Sequence, residues 1–319
     1  MTYKALVIGL GQIGMGYDMG SAPQSRVATL ARAFSEHPLF TLVGGVDTDE
    51  ANLELFRKYY HKLAYKTIES ALEETAPDVV AIAVPTAYHY QVFCETLRWG
   101  SVKAILCEKP LAYDLNHAED MVQLAQTAGI RLYTNYMRRC DKGVVEVRRR
   151  ILSNNIIAPL KGSCWYTKGI FNNGSHYVNL LQYWLGQARH LELIGKTATC
   201  NVVDPDVDLR IEFDLGEVYF HACNTVGYAH HSLELFASNG RLLYEGGALT
   251  WQAAEPDVHN AGYTTLSSSV EQLPTDASRL QWYVADQIAR DLAGEVVTIC
   301  TGIEGLSTIK ILNQIREIL

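Results

Sequence analysis

The sequence has few cysteines, and their arrangement excludes two classes of protein. Seven cysteines are spread over 319 residues, and no two of them form a C-x-x-C pair. An odd number without paired spacing is not typical of a disulfide framework or of a structural zinc site. The histidines show no metal-ligand spacing, so we predict no metal. We expect a reduced, cytoplasmic chain without a signal peptide, because the first residues enter an apolar strand at once.

Long apolar runs and an excess of positive charge are also missing. No stretch reaches the roughly 20 apolar residues that a membrane-spanning helix needs, so we predict no membrane partner. The formal net charge is −8, whereas proteins that bind nucleic acid present a basic surface to the phosphates. The composition, 48% hydrophobic and 19% charged, is that of a globular protein long enough for two domains.

The N-terminus carries a pattern that is typical of dinucleotide binding. An apolar strand runs into the glycine loop 9–14, and a second strand ends in Asp47. In such a loop the first glycine allows the tight turn, the second admits a pyrophosphate and the third packs helix on strand. A carboxylate at the end of the second strand accepts hydrogen bonds from the adenosine ribose and repels a 2′-phosphate. Asp47 therefore favours NAD over NADP. The predicted cofactor contacts are Gly9, Gly11, Gln12, Ile13, Gly14, Asp47 and Thr48.

Asp47 lies farther from the glycines than is usual. It follows Gly14 by 33 residues (47 minus 14), against about 20 in the common pattern. The extra length falls in 15–26, which is rich in glycine, serine and proline. We predict that this stretch is a loop inserted before a helix at 27–37.

Strand and helix patterns alternate up to residue 136 and predict a doubly wound parallel sheet, the α/β Rossmann fold, in a domain of residues 1–135. Ligands of such sheets bind beyond the carboxyl ends of the strands. Three strand ends therefore form a candidate site, although each taken singly is also compatible with ordinary turn chemistry. They are Val84-Pro85-Thr86, Glu108-Lys109-Pro110 and Asn135-Tyr136.

From residue 136 to 319 the pattern changes to that of an α+β domain. Apolar and charged residues alternate along 206–222, and Asn239-Gly240 marks a hairpin turn. We predict a large, mostly antiparallel sheet with one polar face. Helices follow at 276–293 and 303–319, and we expect the last one to pack back on the first domain.

A histidine begins another predicted helix in this second domain. His176 and Asn179 fall on one face at helical spacing. In a first helical turn the dipole lowers the pKa of a histidine and keeps it neutral, which suits a proton acceptor. A histidine at a helix start is also often structural, so both interpretations stay open.

Several motifs in a fixed order resemble those of one enzyme family. After the glycine loop come Pro-Thr-x-x-His (Pro85, Thr86, His89), Glu-Lys-Pro, Asn-Tyr-x-Arg-Arg and Gly-Ser-His-x-x-Asn. Over the whole chain this set resembles the glucose–fructose oxidoreductase/inositol dehydrogenase/rhizopine-catabolism (Gfo/Idh/MocA) family. The resemblance implies an NAD(P)-dependent oxidoreductase that transfers hydride between nicotinamide and a secondary ring hydroxyl of a sugar, polyol or nucleotide-sugar.

The resemblance also implies roles for individual residues. Lys109 would donate a hydrogen bond to the reacting oxygen and His176 would take its proton, and the sequence does not rank them as final proton carrier. Glu108 would orient the lysine or contact the cofactor. The cofactor site would further include Val84, Pro85, Thr86, His89 and Asn135. The substrate would contact Tyr136, Arg138, Tyr166, Lys168, Asn172, Asn173 and His176. Arg138 and Lys168 suit an acidic or phosphorylated substrate, or else are ordinary surface charges.

Two positions depart from the family pattern. Many members carry an acid four residues before the histidine and another three after it, where this chain has Asn172 and Asn179. An amide does not stabilise an imidazolium as a carboxylate does. Two alternatives therefore stay open: an NAD-binding regulatory or scaffold protein without turnover, and an enzyme that keeps its NAD through a redox-neutral cycle.

The resemblance also implies a homodimer or homotetramer formed through the C-terminal sheet.

Overall fold

The computed structural model describes residues 2–20, 25–196, 204–223 and 227–319. Its contacts divide the chain into two compact units. Unit 1 consists of Met1–Cys140 and Ser278–Ile309, and unit 2 consists of Asp141–Ala277 and Lys310–Leu319. The predicted domains, 1–135 and 136–319, divide the chain once, whereas the contacts place the later segment Ser278–Ile309 with unit 1.

The helices and strands follow the alternation expected for the N-terminal part and the strand-rich pattern expected after it. The helices are α1 (Leu30–Glu36), α2 (Glu50–Tyr60), α3 (Ile68–Thr75), α4 (His89–Leu97), α5 (Leu115–Ala128), α6 (Lys142–Leu152), α7 (Ser175–Leu185), α8 (Leu280–Leu292) and α9 (Gly302–Ile318). The strands are β1 (Tyr3–Ile8), β2 (Phe40–Val46), β3 (Leu63–Tyr65), β4 (Val79–Ile82), β5 (Ala104–Cys107), β6 (Arg131–Thr134), β7 (Leu160–Tyr166), β8 (Ala188–Lys196), β9 (Val207–Phe213), β10 (Gly216–Ala222), β11 (His231–Ala237), β12 (Gly240–Glu245), β13 (Ala248–Pro256), β14 (Thr264–Leu266) and β15 (Glu271–Leu273). None of the described helices has the length and apolar composition that crossing a membrane requires.

Unit 1 is built on a parallel sheet with the strand order β3-β2-β1-β4-β5-β6. Alternate residues of β1 enter different cores, because successive side chains of a strand point to opposite faces. Ala5 and Val7 belong to one buried cluster, while Leu6 and Ile8 belong to another. Apolar layers thus cover both faces of the sheet, and the predicted Rossmann fold is confirmed.

Two late helices take part in the packing of unit 1. Val284 and Ile288 of α8 lie in the same buried cluster as Leu30 and Phe34 of α1. The start of α9 lies close to β6, since a Cβ on Gly305 would come within 2.1 Å of Thr134 Oγ1. The later apolar residues of α9 belong to the core of unit 2; they are Ile311, Leu312 and Ile315.

Unit 2 contains a large sheet in the order β14-β13-β12-β11-β7-β10-β9-β8, with β15 paired to β13. Only the β7–β10 pair is parallel among the described strands of this sheet, so the predicted mostly antiparallel sheet is confirmed. The predicted alternation holds along β9, where Val207, Leu209, Ile211 and Phe213 are buried. The hairpin expected at Asn239-Gly240 joins β11 to β12.

The inserted stretch 15–26 begins with a short 3₁₀ helix, Gly16–Asp18. The buried Asp18 carboxylate accepts hydrogen bonds from the backbone N–H of Ala28 (2.9 Å) and of Thr29 (2.8 Å). This carboxylate therefore ties the stretch to the start of α1. The remainder of the predicted loop includes 21–24, which lies outside the described residues.

Candidate functional site

The glycine loop of unit 1 is shaped by close backbone contacts. Gly9 has a φ of +94°, and a Cβ there would lie 2.6 Å from the backbone nitrogen of Val84. A Cβ on Gly14 would lie 1.9 Å from Gly9 O, so only glycine fits where the loop closes. Gly11 differs, since a Cβ there would meet no described atom within 4 Å. The loop is therefore packed at its two ends and open in the middle, the arrangement that lets a pyrophosphate approach the backbone.

Asp47 connects the second strand to this loop. Its Oδ2 atom accepts a hydrogen bond from the backbone N–H of Leu10 (2.8 Å) and one from Asn52 Nδ2 (3.2 Å). Its Oδ1 atom accepts from the backbone N–H of Asp49 at 2.9 Å. Asp47 is half-buried, and the neighbouring Thr48 is exposed. A carboxylate therefore stands beside the glycine loop, where the sequence predicts a ribose contact.

His89, at the start of α4, joins two of the predicted strand ends. The side chain is buried, with Nε2 2.9 Å from the carbonyl oxygen of Val84 and Nδ1 3.0 Å from that of Pro110. Burial lowers the pKa of this imidazole, although its hydrogen bonds to backbone oppose the effect. Because β4 and β5 are adjacent, the ring holds their two turns together. Its contacts are structural, and a direct contact to the cofactor stays a prediction.

Glu108 and Lys109 follow β5, and the Lys109–Pro110 peptide bond is cis. The Glu108 carboxylate accepts from its neighbour, Lys109 N, at 3.3 Å and from Asn135 Nδ2 at 2.5 Å. Burial raises the pKa of Glu108 to about 7, although the Asn135 hydrogen bond and the Lys109 charge oppose this. A partly buried acid that titrates near neutral pH beside a lysine is characteristic of functional sites.

Gln281 of α8 adds a residue to this site that no sequence motif indicates. Asn135 and Gln281 are both buried, and Asn135 Nδ2 donates to Gln281 Oε1 at 3.1 Å as well as to Glu108. Gln281 Nε2 in turn lies 3.4 Å from Met137 Sδ. The available signal was a glutamine on the apolar face of α8, beside Leu280 and before Val284. We name the connected side chains Glu108, Asn135 and Gln281 the amide network.

The predicted substrate residues are divided between the units. Tyr136 and Arg138 belong to unit 1, where Tyr136 is buried and Arg138 lies half-buried in the 3₁₀ helix Met137–Cys140. Tyr166, Lys168, Asn172, Asn173 and His176 belong to unit 2. Arg139, the last residue of the Asn-Tyr-x-Arg-Arg motif, is buried and forms an ion pair with Glu304.

Tyr166 has the contacts of a core residue in unit 2. Its hydroxyl donates to the carbonyl oxygen of Val207 at 2.6 Å and accepts from the backbone N–H of the same residue at 3.0 Å. Burial raises the pKa of this phenol far above its ordinary range. Its predicted contact with a substrate stays a prediction, because the described hydrogen bonds all lead to the main chain.

The helix that carries His176 begins earlier than predicted. A π-helical turn, Gly169–Gly174, leads directly into α7, so His176 lies about two turns from the first helical residue. The expected influence of the helix dipole on a first-turn histidine is therefore wrong, because that influence falls off within the first turn. His176 and Asn179 are buried, whereas Lys168 and Asn172 are exposed and Asn173 is half-buried.

A family model describing an oxidoreductase family with an NAD-binding Rossmann fold (GFO_IDH_MocA) matches residues 3–136. Inositol 2-dehydrogenase of Salmonella typhimurium is 27% identical over 161 residues, which are 50% of this chain and 44% of that protein. A putative UDP-kanosamine synthase oxidoreductase subunit of Amycolatopsis mediterranei is 27% identical over 62% of this chain and 56% of its own. The chain thus spans about half the length of the curated relatives it matches.

Solved structures share the fold over nearly the full chain. UDP-N-acetylglucosamine 3-dehydrogenase from Acidithiobacillus ferrooxidans has a TM-score of 0.78 at 16% identity, covering 99% of this chain and 97% of that one. The WlbA dehydrogenase from Bordetella pertussis, in complex with NADH and UDP-GlcNAcA, has a TM-score of 0.74 at 17% identity, covering 98% and 94%. Identities this low establish the common fold alone.

Proposed function

We propose a function from the premise that this chain belongs to the Gfo/Idh/MocA family, the NAD-binding Rossmann-fold oxidoreductases whose family model covers its residues 3–136. The protein is an NAD-dependent oxidoreductase that transfers hydride between nicotinamide and a secondary hydroxyl of a sugar, polyol or nucleotide-sugar. Relatives named inositol 2-dehydrogenase and putative UDP-kanosamine synthase oxidoreductase subunit support this substrate class.

The observation that carries the proposal lies in unit 1. The glycine loop, Asp47 and the turn of Glu108 and Lys109 all follow parallel strands, so they share the carboxyl edge of one sheet. A hydrogen bond joins the glycine loop to Asp47 through Leu10, and the amide network joins Glu108 to Asn135, which follows the neighbouring strand β6. This is the edge where doubly wound sheets bind dinucleotides.

The residues of this edge fit NAD. Gly11 leaves open space at the middle of the loop, and Asp47 offers a carboxylate for ribose hydroxyls. Asn135 Oδ1 is buried and accepts no hydrogen bond from the described residues, so it would accept one from a cofactor amide. A buried acceptor without a donor is unfavourable, and a ligand N–H would remove that penalty.

The proposed chemistry assigns one task to each of two side chains. When bound, the nicotinamide ring accepts or donates the hydride. His176 takes the proton from the substrate hydroxyl, and Lys109 donates a hydrogen bond to the oxygen as negative charge develops there. Such proton transfer contributes about 10²–10⁴-fold to rate, and an oriented donor contributes several kcal/mol more.

The test is turnover by Lys109→Met and His176→Ala variants on a panel of inositols, uronates and UDP-sugars, followed by the absorbance of NADH. We expect each variant to lower kcat by about 10²-fold or more. Matched controls are Lys58→Met on the exposed face of α2 and His190→Ala on β8, both exposed. Wild-type turnover by both site variants would refute the assignment.

Two alternatives predict different results with the same panel. A regulatory or scaffold protein would bind NAD yet form no NADH with any substrate, and the asparagines at 172 and 179 favour this outcome. An enzyme with a redox-neutral cycle would retain its NAD through purification. We also propose a cytoplasmic location, because seven cysteines without C-x-x-C spacing are not typical of the disulfide frameworks of secreted proteins.

We further propose that unit 2 forms a homodimer or homotetramer through the outer face of its sheet. That face carries linked ion pairs, with Glu217 contacting both Lys161 and Arg210. Trp165 and Phe236 are 46% and 48% exposed in the same sheet, so the face joins apolar and charged groups as protein interfaces do. Light scattering that gives a monomer mass would overturn this proposal.

A further inference from the structure

One short segment holds the start of the helix that carries His176. Four successive backbone N–H groups, those of residues 169 to 172, donate to Asp204, Pro205 and Asp206. Asp206 Oδ1 accepts from residue 169 at 3.0 Å, and Pro205 O accepts from residue 170 at 3.0 Å. The two oxygens of Asp204 accept from residues 171 and 172 at 2.7 and 3.1 Å. We call residues 204–206 the clamp.

The clamp satisfies the groups that a helix leaves open at its start. The first four N–H groups of a helix have no partner within it, and here all four are bonded to the clamp. Asp204 contributes half of these acceptors, and its negative charge lies at the positive end of the helix. The clamp precedes β9, so it connects the helix start to the large sheet.

The glycine at the first helical position is adapted to this contact. Gly169 has a φ of +81°, and a Cβ there would lie 2.0 Å from the carboxyl carbon of Asp204. Any other residue at this position would push the carboxylate away from the N–H groups of Phe171 and Asn172. The position of the Asp204 carboxylate therefore requires a glycine at 169, although about 35 residues separate the two in the chain.

We propose that Asp204 is a positioning residue for the substrate side of the active site. It fixes the segment that presents Asn172 and Asn173 and continues into the helix of His176. The inference rests on the proposed function, because these residues bind substrate only if the protein is a dehydrogenase. Reacting groups must be held to well under 1 Å, so a loosened segment lowers turnover more than it lowers the binding of NAD.

The test compares Asp204→Asn and Asp204→Ala with a matched control, Asp257→Asn. Asp257 follows β13 in the same unit, and its carboxylate also accepts two backbone N–H groups, at 2.7 and 3.1 Å. Asparagine at 204 keeps one acceptor, and alanine keeps none. We measure amide hydrogen exchange over 168–176, the affinity for NAD, the melting temperature, and kcat and KM for the best substrate of the panel.

We expect faster exchange over 168–176 in both Asp204 variants and kcat reduced by about 10- to 100-fold in the alanine variant. Asparagine should give a smaller loss, while NAD affinity and the Asp257→Asn control stay at wild-type values. Wild-type kcat in the alanine variant, or unchanged exchange, would overturn the proposal. If wild-type protein turns over no substrate, the proposed function fails, whereas hydrogen exchange still decides whether Asp204 holds the segment.

Discussion

Replacing Glu108 with glutamine should change how the stability of unit 1 depends on pH. Burial raises the pKa of this carboxyl from an ordinary value near 4.5 to about 7, against the opposing effects of Asn135 and Lys109. Between these two values the folded protein holds a proton that the unfolded chain has released. Glutamine has nearly the same shape, accepts the same hydrogen bond from Asn135 and does not titrate.

The sign and size of the effect follow from this difference. Below about pH 4.5 both states are protonated and the stabilisation is fully present, and it is lost as the pH rises through 7. A pKa difference of this size corresponds to at most about 3–4 kcal/mol of unfolding free energy. Solvent reaches part of Glu108, so we expect a discounted value of about 1–3 kcal/mol. Relative to wild type, the glutamine variant should gain that much unfolding free energy between about pH 5 and about pH 8.

The assay is urea unfolding without NAD, followed by tryptophan fluorescence at several pH values in this interval. Glu54→Gln serves as the control, since Glu54 is an exposed glutamate on α2 of the same unit. The unfolding free energy of the control should depend on pH in the same way as that of wild type across the whole interval. If the unfolding free energy of Glu108→Gln also follows the pH dependence of wild type, the carboxyl does not titrate above its ordinary range. Our account of the amide network is then wrong.

Further predictions concern the cofactor loop. Gly14→Ala should lower the melting temperature, because its Cβ would meet Gly9 O at 1.9 Å, whereas Gly11→Ala should keep the wild-type melting temperature and lose NAD affinity by about 10-fold or more. Equal melting temperatures for the two variants would contradict the packing described for the loop. Asp47→Asn should weaken NAD binding about 10-fold in calorimetry, because the carboxylate that accepts from the ribose is lost. NADP binding should weaken less, because the charge that repels its 2′-phosphate is lost as well. An equal loss for the two cofactors would exclude the ribose assignment.

Much of the fold was predictable because the relevant physics is local. The alternation of Val207, Leu209, Ile211 and Phe213 specifies which face of β9 is buried, and the structure buries all four. The end of α5 was equally predictable, since Gly129 adopts the left-handed conformation that stops a helix. In the candidate site, the positions of the glycine loop and of Asp47 follow from the same local rules.

The parts that were missed depend on contacts between distant segments. Gln281 joins Asn135 across 146 residues, and no short pattern reports a hydrogen bond of that range. The helix of His176 was expected to start near that residue, because the loop-like composition of 169–174 concealed a π-helical turn. That turn is stabilised by Asp204 and Asp206, which come more than 30 residues later in the chain.

The division of the chain has a practical consequence for dissecting it. The polypeptide passes from one unit to the other after Cys140, after Ala277 and after Ile309, so neither unit is a continuous stretch. A fragment ending at Cys140 would lack α8, and the apolar side chains that pack against Val284 and Ile288 would face water. Isolating the nucleotide-binding half would therefore require splicing 278–309 onto it, and simple truncation should yield an aggregating product.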